Sequence, residues 1–182
     1  MVVCYDVGVR AIFLDRDGTV NVGVPRIERV DSVDKVELLP KVLEGLGLLA
    51  ALDYQVFFVT NQAGLAEGLI TIEDFDAINN RTLALIAPSH IKITETYVCP
   101  HGPGADCVCQ KPKPGMLLDA AEKYRIDLKE SWMVGDRLTD VQTGINAGTK
   151  TILVLSGEPV SSPEATYTAT DLLDAAQYIS TH

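Results

Sequence analysis

Residues 10–19 read RAIFLDRDGT, a short apolar run that ends in two acids two residues apart, followed by Gly18 and Thr19. An apolar run bounded by turn residues reads as a buried strand, and the acids then sit on the turn that leaves it. Transfer of a phosphoryl group to a carboxylate needs one ionised oxygen in line with phosphorus. It also needs an acid to protonate the leaving alkoxide, and later a base for the attacking water. Asp15 and Asp17 can divide those tasks, with Gly18 relieving the turn. The commoner use of such a pair, taken alone, is a plain Asp-Gly turn.

Outward from this stretch, apolar runs and helical patterns alternate. Residues 39–52 carry leucines at helical spacing, and 54–60 (YQVFFVT) are aromatic and β-branched, as in a buried strand. A helix starts at Thr71, with Asp74 three residues on, and runs to about Ala87, where Pro88 stops it. Residues 91–98 read as strand and 99–113 as a Cys/Gly/Pro loop. Residues 114–124 read as a helix with proline in its first turn. Then follow strand 131–134, helix 139–147, strand 150–155, a short strand at 165–168 and a helix at 171–179. Residues 1–9 are either an edge strand built on Val2, Val3 and Tyr5 or a lead-in. Repeated β-then-α units predict an α/β fold in one domain over 1–182, a mostly parallel sheet with helices on both faces. Ligands in such folds bind at the carboxyl ends of the strands. Three polar clusters fall there: Asp15/Asp17, Thr60/Asn61/Gln62 and Asp136/Asp140.

Each further cluster has a chemical use and a bland one. The Thr60 hydroxyl and adjacent backbone N–H groups can hold phosphate oxygens, or simply make a turn. Lys111 can neutralise charge between nucleophile and phosphate, or lie on the surface. In GDRLTD (135–140), Asp136 suits Mg²⁺ together with Asp15 and the backbone carbonyl of Asp17, whereas Asp140 orients its neighbours or caps the next helix. Cys99, His101, Cys107 and Cys109 form a three-thiolate, one-imidazole set, which is the pattern of a closed structural zinc site. Pro100, Gly102, Pro103 and Gly104 between them build no core, so a metal would be what orders this loop (99–109).

Net charge is −10 and the pI about 4.6, which disfavours nucleic acid and anionic membranes as partners at long range. A phosphate-handling chain this acidic needs a metal ion and one or two placed cations. No apolar run reaches the length of a membrane span, and Met1 to Arg10 make a poor signal peptide, so the expected location is cytoplasmic.

FLDRDGT, VTNQ, CPH…CxCxKP and GDRxTD, in this order, resemble the haloacid dehalogenase phosphatases. Within that superfamily they are most similar to the branch holding the D-glycero-D-manno-heptose 1,7-bisphosphate phosphatases and the histidinol-phosphate phosphatases. The resemblance implies a three-layer fold related to the Rossmann type. Segments 19–39 and 60–111 are too short for a large cap. It implies Asp15 as nucleophile and Mg²⁺ ligand, and Asp17 as general acid/base giving its carbonyl to the metal. Thr60 and Lys111 would hold the phosphoryl group, Asp136 would bind Mg²⁺, and the Cys/His set would bind Zn²⁺. Substrate contacts are expected from Asn61, Gln62 and Gln110. Arg137 either joins them or lies on the surface.

The heptose enzymes usually place Arg-Lys before the proline, where this chain has Gln110-Lys111, and the five-residue gap from His101 to Cys107 is more like the histidinol-phosphate enzymes. KPKPGMLLDAAEKY and GTKTILVLSG are more like the heptose enzymes. The expectation is therefore a monomeric heptose 1,7-bisphosphate 7-phosphatase. The alternatives are histidinol phosphate, another small sugar or polyol phosphate, or a non-enzymatic zinc-dependent binding module.

Overall fold

The computed structural model describes residues 8–22, 30–156 and 162–182. The edge-strand reading of Val2, Val3 and Tyr5 lies outside the described residues. Six strands alternate with helices along the chain: β1 (Ala11–Leu14), α1 (Val42–Ala50), β2 (Gln55–Asn61), α2 (Ala63–Ala66), α3 (Ile72–Ile86), β3 (Ile93–Cys99), α4 (Gly115–Tyr124), β4 (Trp132–Gly135), α5 (Leu138–Ala147), β5 (Lys150–Val154), β6 (Tyr167–Ala169) and α6 (Leu172–Thr181). The strands form one sheet in the order β3-β2-β1-β4-β5-β6, and every pair is parallel.

The short apolar run at 11–14 lies at the centre of that sheet and every residue in it is buried. It shows no polar alternation because helices cover both faces. The two-residue period of a strand sends Ile12 and Leu14 to one face, with Phe58, Trp132 and Val134. There they meet Val42, Leu46 and Leu49 of α1 and Leu172, Ala176 and Ile179 of α6. Ala11 and Phe13 face the other way, with Phe57, Val59 and Met133, against Met116, Leu117 and Ala120 of α4.

The expected elements are present, with shifts that have local causes. The first helix starts at Val42 rather than Leu39, because Pro40 and a left-handed Lys41 (φ 60°) precede it. The third strand runs from Ile93 to Cys99 and the last from Tyr167 to Ala169, each two residues later than expected at its start. Thr71 and Asp74 form the reciprocal cap of α3 that their spacing predicts. The four-residue α2 has no sequence counterpart in the expected pattern. Among the described residues, no insertion of cap size follows β1 or β2, and no helix is long and apolar enough to cross a membrane.

The approach of α1 to α6 depends on Gly45. A Cβ there would lie 2.8 Å from the backbone carbon and oxygen of Leu172. In an exposed helix, Gly→Ala gains about 1 kcal/mol of propensity. At Gly45 that gain is opposed by overpacking, which costs ~1–3 kcal/mol. We therefore expect Gly45→Ala to lower the urea midpoint without changing the far-ultraviolet circular dichroism; an unchanged or higher midpoint would show that the helices can separate freely.

Candidate active site

The three polar clusters meet at the carboxyl ends of β1, β2 and β4, on either side of the point where the strand order reverses. Asp15 follows β1 directly and is buried, its backbone N–H donating to the Val134 carbonyl at 2.9 Å. Lys111 reaches it from a loop 96 residues later. The Lys111 ammonium donates to Asp15 Oδ1 at 2.7 Å and to the Val59 carbonyl at 3.0 Å, and pairs with Asp140 Oδ1 at 2.6 Å. All three of its protons therefore have partners. Burial works against the charged ammonium, but Asp140 and Asp15 outweigh it and hold the lysine above its ordinary pKa.

Asp136 stands beside this pair, its Oδ1 buried and without a hydrogen-bond partner among the described residues. Burial, reinforced by Asp140, pushes its carboxyl up. Burial likewise raises the Asp15 carboxyl well above the usual range, only partly offset by Lys111. Oxygens of Asp15, Asp136 and Asp140 all lie within 4.8 Å of one another. Three carboxylates against one ammonium leave two uncompensated negative charges in a buried space. That is the charge deficit of a divalent-cation site. Asp140 is already engaged, since its Oδ1 pairs with Lys111 and its Oδ2 accepts from the Arg137 backbone N–H at 3.0 Å. It thus both caps α5 and orients Lys111, combining the two expected uses. That leaves Asp15 and Asp136 as the carboxylates that could hold such a cation. Gly18, at φ 99°, permits this approach: any side chain there would overlap the Asp136 carboxylate.

Asp17 faces a different environment. Its Oδ1 accepts from Arg16 Nε at 3.0 Å and Asn21 Nδ2 at 2.7 Å, and its Oδ2 from Arg16 Nη2 at 3.0 Å and Gln62 Nε2 at 2.7 Å. Burial would raise its pKa, but the Arg16 guanidinium and these hydrogen bonds hold it below the ordinary value. Thr60 is buried beside it, its hydroxyl accepting from Gln62 Nε2 at 2.9 Å.

The side chains expected to touch substrate have other partners. Asn61 brackets the backbone of Lys111, donating to its carbonyl at 3.2 Å and accepting from its N–H at 3.1 Å. Gln62 joins Asp17 to Thr60. Gln110 donates to the His101 carbonyl at 3.3 Å, within the Cys/His loop. Arg137 is exposed and beside Asp136, whose pKa it lowers in part. Arg16 and Asn21 were not singled out from the sequence; both are fully buried. An arginine between two acids ordinarily reads as a solvated turn, so only the spacing of Asn21 four residues after Asp17 offered a signal.

Cys99, His101, Cys107 and Cys109 converge as their spacing predicts. Cys99 Sγ lies 3.6 Å from His101 Nδ1, 3.9 Å from Cys107 Sγ and 3.2 Å from Cys109 Sγ. Zn–S and Zn–N bonds of about 2.3 and 2.0 Å give tetrahedron edges of roughly 3.5–3.8 Å, so the four donors fit one ion. Burial pushes the Cys99 thiol up to about 12, a cost that a bound cation reverses by taking the thiolate.

A family model described as HAD-hydrolase-like matches residues 108–177. The D-glycero-beta-D-manno-heptose-1,7-bisphosphate 7-phosphatase of Photorhabdus laumondii is 37% identical over 164 residues, 85% of each chain. The D-glycero-alpha-D-manno-heptose-1,7-bisphosphate 7-phosphatase of Campylobacter jejuni is 36% identical over 149 residues, 82% of this chain and 84% of its own. The crystal structure of the D,D-heptose 1,7-bisphosphate phosphatase from B. bronchiseptica, complexed with magnesium and phosphate, superposes with a TM-score of 0.87 at 35% identity, covering 95% of this chain and 99% of its own. Fold and site together define a phosphoric monoester hydrolase. The chain belongs to the haloacid dehalogenase-like hydrolases, in the branch that holds the heptose-1,7-bisphosphate 7-phosphatases.

The Cys/His loop ends two residues before Lys111. Chelation of zinc, or Cys107→Ser, is expected to lower the melting temperature by ~5 °C or more and to lower turnover with it. Calorimetry and phosphate release on the same samples check this; an unchanged melting curve after confirmed metal loss would contradict it.

Proposed function

We propose that this chain is a Mg²⁺-dependent heptose 1,7-bisphosphate 7-phosphatase working through an aspartyl-phosphate on Asp15. One observation carries the reading: the Lys111 ammonium fixes Asp15 Oδ1 at 2.7 Å, at the carboxyl end of the central strand, beside Asp136. An oxygen of Asp15 attacks phosphorus and the bond from phosphorus to the sugar oxygen breaks. Asp17 gives a proton to that leaving oxygen. Water then attacks phosphorus, Asp17 takes its proton, and the bond from phosphorus to Asp15 breaks. Lys111 offsets the negative charge that gathers between Asp15 and the phosphoryl oxygens. Thr60 is the phosphate-binding hydroxyl of this reading. Asp15, Asp136 and the Asp17 carbonyl would hold Mg²⁺, which supplies the remaining positive charge when bound.

The named relatives support the bisphosphate as substrate and include both anomers. The reading treats 1–182 as one catalytic unit with a structural zinc loop, monomeric and cytoplasmic. It gives Asn61, Gln62 and Gln110 supporting places around the substrate, and Arg137 a place at the rim.

Asp15→Asn should abolish phosphate release, by about a thousandfold or more, while leaving the far-ultraviolet circular dichroism of the folded protein intact. Retained turnover would rule out the covalent route. Gln110→Arg should lower KM for a bisphosphate about twofold to fivefold more than for a monophosphate, the size of an exposed ion pair. Equal effects on both substrates would mean that position 110 does not face the second phosphate.

A further inference from the structure

The four donors around Asp17 have a use beyond keeping it ionised. A carboxylate has about four lone-pair directions, and here each receives a hydrogen bond of 3.0 Å or less. Such an arrangement fixes both the position and the plane of the group. Its parts come from different places in the fold. Arg16 and Asn21 lie on the turn leaving β1, whereas Gln62 follows β2. Arg16 is the immobile member: it is fully buried, its planar fork meets both carboxylate oxygens, and its guanidinium carbon lies 5.2 Å from the ring centre of Phe75 on α3. Among the described residues its remaining nitrogen, Nη1, is buried without a partner, and none of them draws the fork away by a competing hydrogen bond.

We propose that Arg16, Asn21 and Gln62 are positioning residues that hold the Asp17 carboxyl in line with the leaving oxygen, with Gln62 linking it to the phosphate-binding hydroxyl of Thr60. The proposal rests on the reading of Asp17 as general acid. A proton on Asp17 displaces one of the four donors. Gln62 is the member able to give way, because it retains some exposure and can keep its hydrogen bond to the Thr60 hydroxyl while one direction of Asp17 Oδ2 opens to the leaving oxygen. Arg16 and Asn21 are fully buried and stay in place. Gln62 would therefore connect occupation of the phosphate site with placement of the acid. A misplacement of about 1 Å in such a group is enough to weaken proton transfer strongly.

The test compares two phosphate esters by kcat/KM, which reports only the steps up to cleavage of the ester bond. A sugar phosphate has a poor alkoxide leaving group that needs the proton, whereas p-nitrophenyl phosphate leaves as a stabilised phenolate that does not. General acid catalysis contributes roughly 10²–10⁴-fold. Asp17→Asn should therefore lose at least about tenfold more on the alkyl ester than on the aryl ester. Gln62→Met, which keeps the volume and removes the hydrogen bonds, should show the same selective loss to a lesser degree. Arg16→Lys should show it too, having charge without the fork. A selective loss in Asp17→Asn together with equal losses on both esters in Gln62→Met would overturn the positioning role. Equal losses in Asp17→Asn would instead overturn the reading of Asp17 as acid. Should Arg16→Lys fail to fold, Gln62→Met decides alone, since Gln62 lies at the site and retains some exposure.

Discussion

A buried ammonium set between two buried carboxylates is the constraint on which this site depends. Lys111 joins Asp15 to Asp140 and is itself tied to the carbonyl of Val59, so one side chain links the ends of β1 and β2 with the start of α5. Removing one partner of such a pair strands the others as unpaired buried charges, at about 3–5 kcal/mol. The pairing is still incomplete, because Asp136 adds a further carboxylate. The surplus negative charge makes the empty-handed site unfavourable and a divalent cation favourable. The fold therefore stores in its electrostatics the demand for the ion that its chemistry uses.

Position 111 is not held by regular structure. Between the end of β3 at Cys99 and the start of α4 at Gly115 the chain forms no helix or strand. Two devices replace it. The Cys/His cluster gathers residues 99–109 around a single point, and Asn61 brackets the backbone of Lys111 on both its polar groups. A loop rich in proline and glycine could not bury enough apolar surface to fix a buried lysine. A structural metal can, and it would couple the integrity of the loop to the placement of Lys111.

The two acids of the first turn have opposite surroundings, although they stand two residues apart. Asp15 loses solvation and gains one ammonium, while Asp17 gains a guanidinium and two carboxamides. Separating the environments of two carboxyl groups would let one turn support both the nucleophile and the proton carrier of the proposed mechanism. Gln62 and Asn21 make the difference, together with Arg16, whose side chain turns inward rather than to solvent.

Residue types and their spacing by themselves determined much of this. Apolar runs of four to seven residues alternating with helical patterns specify a parallel sheet covered on both faces, because such strands cannot tolerate a wet side. Since side chains that end parallel strands share one edge, Asp15, Asp17, Thr60 and Asp136 were legible as a single site, and the thiol spacing made the zinc loop legible too. Tertiary structure alone decided which polar groups meet. Asn61 and Gln62 look alike as strand-end residues, yet one serves the backbone of Lys111 and the other the carboxylate of Asp17. Arg16 reads as surface and is wholly buried. Hydrogen-bond partners 45 to 96 residues apart depend on the twist and register of the sheet, and on where a loop is pinned, which no local pattern encodes.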